Sequence, residues 1–414
     1  MHIFTCLRRP ERRHATVIAL VLSIGLLLPV PARADDPTSG EYGSGPPERR
    51  QLTATVMPRF ADTSNSSLAW AAPAIRYVAE DRDWMADFGT EYFRPNINER
   101  RKFFARTLVA AFAPDATPDP KIELTDMKRS DPFWEFANIA VSKGWMQRTR
   151  SGEFRPGSPV TMTQVHFALI TVLPLAAEVR GLSKIHDADG YRFKHPNKFP
   201  QILLGMRLHF RYNHPNEGSD VTPRDPLSRA EVAYSLWRTA ITNRYDLSPL
   251  ESYKDIVLPA MDKAKREFVE FGFRYVGYPY VWGGEWYEKS PSGYCCGDQP
   301  QGGFDCSGLM WWDLKAPAGG YDNRKIRGYE GWDLPQRSSS SMASIGRQLT
   351  YRAARPGDLM FYDGDSNGTI DHVDVYLGNG WALDSSSGQG GVTVLRVGEG
   401  WYYDHFEHAR RIIR

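Results

Sequence analysis

The chain has 414 residues, enough for two or three domains. Its 41% hydrophobic and 24% charged content is ordinary for a globular protein, and a net charge of +2 gives no strong attraction to nucleic acid or a membrane surface. Aromatic content of 13%, with 12 Trp, is high and suits stacking on sugars, although core packing uses most tryptophans.

Residues 1–34 read as an export signal. Arg8, Arg9, Arg12 and Arg13 form a basic start. Ala15 to Leu28 is apolar but short for a membrane span, and Ala32-Arg33-Ala34 offers a small-x-small cleavage site. The mature chain is expected to start near Asp35 and to be exported, with no membrane segment left; an uncleaved anchor is the alternative. Cleavage would remove Cys6 and leave Cys295, Cys296 and Cys306, an odd set that points to one free thiol. Residues 35–56, rich in Gly, Pro, Ser and charge, read as a disordered leader.

Residues 57–243 repeat internally. Trp84-Met85 recurs as Trp145-Met146, and Phe93-Arg94-Pro95 as Phe154-Arg155-Pro156, both 61 residues on. Phe60-Ala61-Asp62 is echoed by Leu124-Thr125-Asp126, and Trp70 by Trp134. A third, degenerate copy carries Val221-Thr222-Pro223 and then Ser228-Arg229-Ala230-Glu231. The copies divide at about 57–118, 119–180 and 181–243. Ser228 with Glu231, and Thr161 with Gln164, have capping-box spacing, and apolar residues follow at helical intervals. Three helical units that bury their apolar faces on one another are expected.

This region resembles three S-layer homology repeats, which carry an aromatic-x-Pro turn followed by a Thr-Arg-Ala-Glu-like helix start. The resemblance implies binding of secondary cell-wall polysaccharide through Arg229 and through Arg100 or Arg101. The second copy has Thr161-Met162-Thr163-Gln164 and lacks the arginine. A helical scaffold with no ligand is the alternative.

Residues 244–259 read as a linker, with a helix start at Ser248-Pro249, and 260–414 as an α+β domain with an antiparallel sheet. Gly303-Phe304-Asp305-Cys306-Ser307-Gly308 places a cysteine where a helix begins. The helix dipole there favours thiolate, the nucleophilic form. His372 to Gly378 and Trp381 to Ser385 alternate as strands around a Gly378-Asn379-Gly380 turn. Strand alternation across that hairpin places Asp384 as a candidate to orient His372. A helix bearing Cys306 followed by a sheet bearing His372 is the order of a papain-like Cys-His enzyme.

Five blocks in order carry a second resemblance: Pro279-Tyr280-Val281-Trp282-Gly283-Gly284, Phe304 to Leu309, Leu334-Pro335 with Arg337-Ser338-Ser339, Arg355 to Leu359, and His372-Val373 with Tyr376-Leu377-Gly378. They resemble the NlpC-type cell-wall cysteine peptidases. That resemblance implies Cys306 as nucleophile, His372 as base and Asp384 at the third position. It implies Tyr280 near the thiolate, Asp305 and Ser307 on the free amine of a peptide substrate, and an oxyanion site at the Cys306 N–H. The substrate implied is the peptidoglycan stem peptide, cut between D-Glu and the diamino acid by a secreted, wall-associated enzyme. An amidase or transpeptidase, or a wall-binding protein with a relic domain, is the competing reading.

The chemistry requires no cofactor. However, Asp363, Asp365, Asn367, Thr369, Asp371 and Asp374 fall at calcium-loop spacing, with Gly368 at the turn position. Ca²⁺ is the expected ion, ordering the loop that presents His372; an acidic hairpin tip without metal is the alternative.

Overall fold

The computed structural model describes residues 59–85, 91–290, 299–315 and 336–412. The expected signal, the whole of the leader region, Cys295, Cys296, Leu334 and Pro335 lie outside the described residues.

The N-terminal part contains α1 (Ala72–Ile75), α2 (Arg101–Phe112), α3 (Trp134–Ser142), α4 (Met162–Val172), α5 (Ala176–Leu182), α6 (Phe199–Arg207) and α7 (Arg229–Ile241). Capping boxes start α4 at Thr161 and α7 at Ser228. The repeated Phe-Arg-Pro turns share one device. Asp62 accepts the Phe93 and Arg94 N–H groups at 2.9 and 2.8 Å, and Asp126 accepts those of Phe154 and Arg155 at 2.7 Å each. These bonds hold Arg94 and Arg155 left-handed, at φ 59° and 60°, a conformation costly for a residue with a Cβ. The third copy lacks the aromatic and the left-handed arginine, and Thr222 N–H turns to Asp225 instead, at 2.8 Å.

Three loops close a ring. Glu99 N–H donates to Leu227 O, Leu227 N–H to Val160 O, and Val160 N–H to Glu99 O, each at 2.9 Å. The helices follow the same cycle, with α2 on α3, α4 on α6 and α7 on α1. Each partner thereby buries the apolar flank of the next.

Two arginines expected to reach a glycan are inside this ring. Arg229 is 1% exposed and donates to Phe93 O, Met85 O and Glu99 at 2.8–2.9 Å. Arg101 is 7% exposed and donates to Phe154 O and Gln147 O at 2.6 Å. Both sit at the first helical position, where a guanidinium satisfies carbonyls of the neighbouring unit, so only Arg100 of the three faces solvent.

The expected linker is packed structure. It forms α8 (Arg244–Leu247), a 3₁₀ turn over Ser248–Asp255 and β2 (Val257–Leu258), which pairs in parallel with β1 (His186–Asp187) of the third copy. Leu250, Tyr253, Ile256 and Leu258 are all buried, which fixes the segment.

The C-terminal part begins with α9 (Lys263–Phe273), whose apolar side carries Phe268 and Phe271 into the core. β3 (Glu285–Trp286) and β4 (Gly303–Phe304) pair antiparallel, and α10 (Cys306–Lys315) and α11 (Ser339–Met342) follow. The main sheet holds β5 (Arg347–Leu349), β6 (Leu359–Tyr362), β7 (His372–Gly378), β8 (Trp381–Ser386), β9 (Gly391–Arg396) and β10 (Phe406–Arg411), with α12 (Gly400–Asp404) before β10. Their order is β5-β10-β6-β7-β8-β9, antiparallel throughout. Trp311 and Trp312 are fully buried, so packing absorbs much of the tryptophan signal; Trp282 alone of the described tryptophans is prominently exposed, at 51%. Among the described residues no helix is long and apolar enough to cross a membrane.

His166 on α4 lies fully buried against Gly205 of α6, where a Cβ would sit 2.4 Å from Nδ1. Neither ring nitrogen has a hydrogen bond of normal geometry. Burial, then the Arg211 charge, push its pKa down to about 3, and the Ile202 backbone opposes them only weakly. The folded value lies below the unfolded one. Its stabilising contribution is therefore present above about pH 6.5 and lost as pH falls toward 3, at about 1.4 kcal/mol per pH unit. Denaturant titrations between pH 7 and 4 should show this loss in the wild type and a flatter profile in His166→Phe.

Candidate active site

Cys306 opens α10 and is 7% exposed. The helix start is seated tightly on the turn before β3. A Cβ at Gly308 would lie 1.9 Å from the Gly284 carbonyl oxygen, so only glycine permits the approach. Asp305 caps the helix: its Oδ1 accepts the Gly308 N–H, and its own N–H donates to Gly284 O at 3.0 Å.

The thiol faces the start of β7. Cys306 Sγ lies 4.0 Å from the Asp371 carbonyl oxygen and interacts with the His372 imidazole. His372 Nε2 stands 2.9 Å from Asp384 Oδ1 on β8, which leaves Nδ1 for the sulfur. Burial alone would push the imidazole pKa down. Asp384 first, and Cys306 after it, push it up more strongly and hold it well above the usual histidine range. The arrangement stabilises imidazolium beside the sulfur.

Asp384 is fully buried, and its second oxygen accepts the Tyr402 hydroxyl at 3.0 Å. The Tyr402 and Trp401 rings of α12 lie 6.1 and 6.3 Å from the His372 ring. Sequence reasoning passed over both, because a short aromatic run before a charged strand has no period and no motif. Their role comes from the chain folding back through α12 to reach β10.

Tyr280 is 8% exposed and lies between two strands. Its N–H donates to Gly390 O at 3.1 Å, while Val281 N–H donates to Phe304 O at 3.2 Å and Phe304 N–H to Pro279 O at 3.0 Å. The segment thus ties the start of β9 to β4, just before Cys306.

Asp305 and Ser307 belong to a buried ion cluster around Arg337. Its Nε donates to Glu285 Oε2 at 2.7 Å, its Nη1 to Asp305 Oδ1 at 3.1 Å and to Ser307 Oγ at 2.9 Å. Burial alone would lower the guanidinium pKa, but Asp305 and Glu285 more than offset it and hold it above the ordinary arginine value. Two carboxylates face one guanidinium, a surplus of one negative charge beside Cys306. Arg337, which stands in one of the family-like blocks, and Glu285, which directly follows another, are functional candidates that sequence spacing could not pair.

The acidic loop comes together in part. Carboxylate oxygens of Asp363, Asp365 and Asp371 lie within 4.8 Å of one another and could hold a cation, with Asn367 bonded to Asp365 at 2.7 Å. Thr369 contributes only its backbone N–H to Asn367, at 2.8 Å. Asp374 is excluded from the set. It lies inside β7, fully buried, with its carboxyl on the Tyr362 hydroxyl at 2.8 Å. Burial, then the nearby Asp384, push its pKa well above the carboxylate range, which favours the uncharged form. A strand begins at His372 where a calcium loop continues into a helix, and strand pleating turns Asp374 into the sheet.

A helix-borne thiol, a strand-borne imidazole and a buried carboxylate form the constellation of cysteine hydrolases. Residues 277–411 match the NlpC/P60 family, and residues 123–161 match the S-layer homology domain. The C-terminal part is therefore an NlpC/P60 domain, preceded by S-layer homology sequence. Murein DD-endopeptidase MepH of Escherichia coli (strain K12) is 30% identical over 140 residues, 33% of this chain and 42% of that one. Peptidoglycan endopeptidase RipB of Mycobacterium tuberculosis (strain ATCC 25618 / H37Rv) is 37% identical over 136 residues, 32% of this chain and 49% of that one. Gamma-D-glutamyl-L-lysine dipeptidyl-peptidase of Bacillus subtilis (strain 168) is 28% identical over 188 residues, 45% and 52% of the two chains. A solved structure of RipB shares 30% identity, covering 37% of this chain and 69% of that one, with a TM-score of 0.27. The chain spans less than half the length of the first curated relatives it matches.

Asp384→Leu should reduce any Cys306-dependent turnover by on the order of 10²-fold or more, because no acceptor then orients the imidazole or stabilises its charge. Tyr402→Phe leaves the carboxylate in place but removes one of its donors. It should cost roughly tenfold in kcat, about 1.4 kcal/mol, with KM unchanged. Steady-state kinetics of the two variants check both.

Proposed function

We propose that this protein is a secreted peptidoglycan endopeptidase that cleaves stem peptides through a Cys306 thioester and is held at the cell wall by its helical ring. The observation that carries the reading is the Cys306–His372–Asp384 constellation, with His372 Nε2 on Asp384 at 2.9 Å. The Cys306 sulfur attacks the scissile carbonyl carbon as thiolate, and the oxyanion is held by the Cys306 N–H and its neighbours at the start of α10. His372 gives its proton to the departing amine, leaving a thioester. Water then adds with His372 as base, and the thiolate leaves as the carboxylate product forms. Tyr280, in the segment bridged to β4, is assigned the place near the thiolate.

The bond between D-Glu and the diamino acid is the favoured target. The surplus carboxylate among Asp305, Glu285 and Arg337 suits a substrate with a free amine, and one relative is named a gamma-D-glutamyl-L-lysine dipeptidyl-peptidase. Wall attachment is assigned to three S-layer-homology-like units, supported by the closed hydrogen-bond ring. A cavity of about 270 Å³ on that ring is lined by Arg94, Arg100, Lys102 and Phe103 and suits an anionic secondary polysaccharide. A cation on Asp363, Asp365 and Asp371 would act by ordering the turn before His372; calorimetric titration with Ca²⁺ that releases no heat and leaves melting unchanged removes it.

Digests of peptidoglycan and soluble muropeptides, read by mass spectrometry, test the activity. Products should appear with wild type and vanish with Cys306→Ala, with masses that place the cut after D-Glu. Products from both proteins, or from neither, remove the reading, and the competing role as a wall-binding protein then stands. In cell-wall pelleting, Arg100→Glu with Lys102→Glu should weaken binding roughly tenfold, ~1.4 kcal/mol, without changing hydrolysis of soluble muropeptides.

A further inference from the structure

We propose that Arg211, a residue of the third helical unit, is a positioning residue for the active site. It clamps the segment that carries Tyr280. The proposal rests on the thiol-peptidase reading above.

The three junctions of the ring differ in one exchange. At two of them the first helical residue is an arginine that donates to the carbonyl of the neighbouring turn: Arg101 to Phe154 O at 2.6 Å and Arg229 to Phe93 O at 2.8 Å. At the third, the first helical residue is Met162, which has no donor to offer Val221 O. The arginine has moved to the loop position held by Met85 and Met146 in the other units. From there Arg211 Nη1 donates to Val221 O at 3.0 Å and completes the ring.

The moved guanidinium reaches further than its counterparts. Arg211 Nη1 also donates to Gly277 O at 3.1 Å, and its Nη2 donates to Gly390 O. Gly390 O is the acceptor of Tyr280 N–H at 3.1 Å, and Gly277 N–H donates to Val392 O at 2.9 Å. Both ends of the segment from Gly277 to Tyr280 are thus tied to β9 and to Arg211 together. The same segment exchanges hydrogen bonds with Phe304, two residues before Cys306. Arg211 is 8% exposed, and these donors have no solvent to replace them if it is removed. The exchange occurs at a junction that abuts the peptidase part, with Met162 and Pro223 against Gly277, where a methionine tip could fill space but could not hold two carbonyls.

The test uses the full chain and two readouts. One is the site-resolved alkylation rate of Cys306 by iodoacetamide, which needs no substrate; the other is kcat and KM on a soluble muropeptide. Arg211→Lys should lower both the alkylation rate and kcat roughly tenfold or more, the scale of a sub-ångström misplacement, with KM little changed. Arg101→Lys, which cuts a ring bond away from the active site, should lower the melting temperature and leave both rates near wild type. The exchange-reversing variant Met162→Arg with Arg211→Met should recover melting temperature but not the rates. Recovery of both rates in that variant would overturn the proposal, because Arg211 would then only close the ring. If neither Arg211 variant melts cooperatively, hydrogen exchange on the wild type decides. The Tyr280 amide must exchange with those of Glu99, Val160 and Leu227; exchange well ahead of them sinks the idea. Normal Cys306 alkylation with no muropeptide cleaved would remove the endopeptidase reading and leave this one standing on the alkylation readout.

Discussion

The first turn of α10 has to satisfy two demands at once. Its flank, including Leu309, Met310, Trp311 and Trp312, must be buried, yet its first residue must keep a sulfur partly accessible beside the start of β7. Contact between Gly308 and the Gly284 carbonyl resolves this by letting the helix start against the backbone of the preceding turn. Asp305 then caps the helix and joins the Arg337 cluster, so the residue beside the nucleophile is fixed on two sides. The distances from Cys306 to β7 follow from that seating.

Buried charge is handled in two different ways. In the ring, Arg101 and Arg211 bond to backbone carbonyls, and Arg229 does so beside Glu99. Such guanidiniums fix how units meet, because several donors in a rigid fork satisfy several loops together. In the catalytic sheet two carboxyl groups lie close together. Asp384 faces His372 and Tyr402, while Asp374, one step beyond the Val375–Leu383 strand pair, lies buried against Tyr362 with its pKa pushed well up. A shift that favours the uncharged form of one carboxyl lessens the negative charge behind the one that serves the imidazole.

The two parts of the chain meet through built contacts. β1 pairs with β2, Tyr253 donates to Val394 O, Tyr191 and the Lys194 N–H bind Glu270, and Arg266 bonds to Asp187 and Asp189.

Local rules made much of this legible in the sequence. Capping boxes, the Gly378-Asn379-Gly380 turn and strand alternation located the helices and the β7–β8 hairpin, because those signals act over a few residues. Strand period also paired His372 with Asp384 across a short turn, a distance the chain itself limits. What only the tertiary structure decided are the long-range pairings. Arg229 and Arg101 looked like ligand-binding cations and became ring struts, since exposure depends on what packs over a residue. Asp374 kept calcium-loop spacing but lies in a strand, where pleating overrides spacing. Arg337 with Glu285, Tyr402 with Asp384, and Arg211 with Gly390 join residues far apart in the chain, and no periodicity encodes such meetings. The residue types that do the chemistry are therefore written locally, and the environments that set their charge and position are made by the fold.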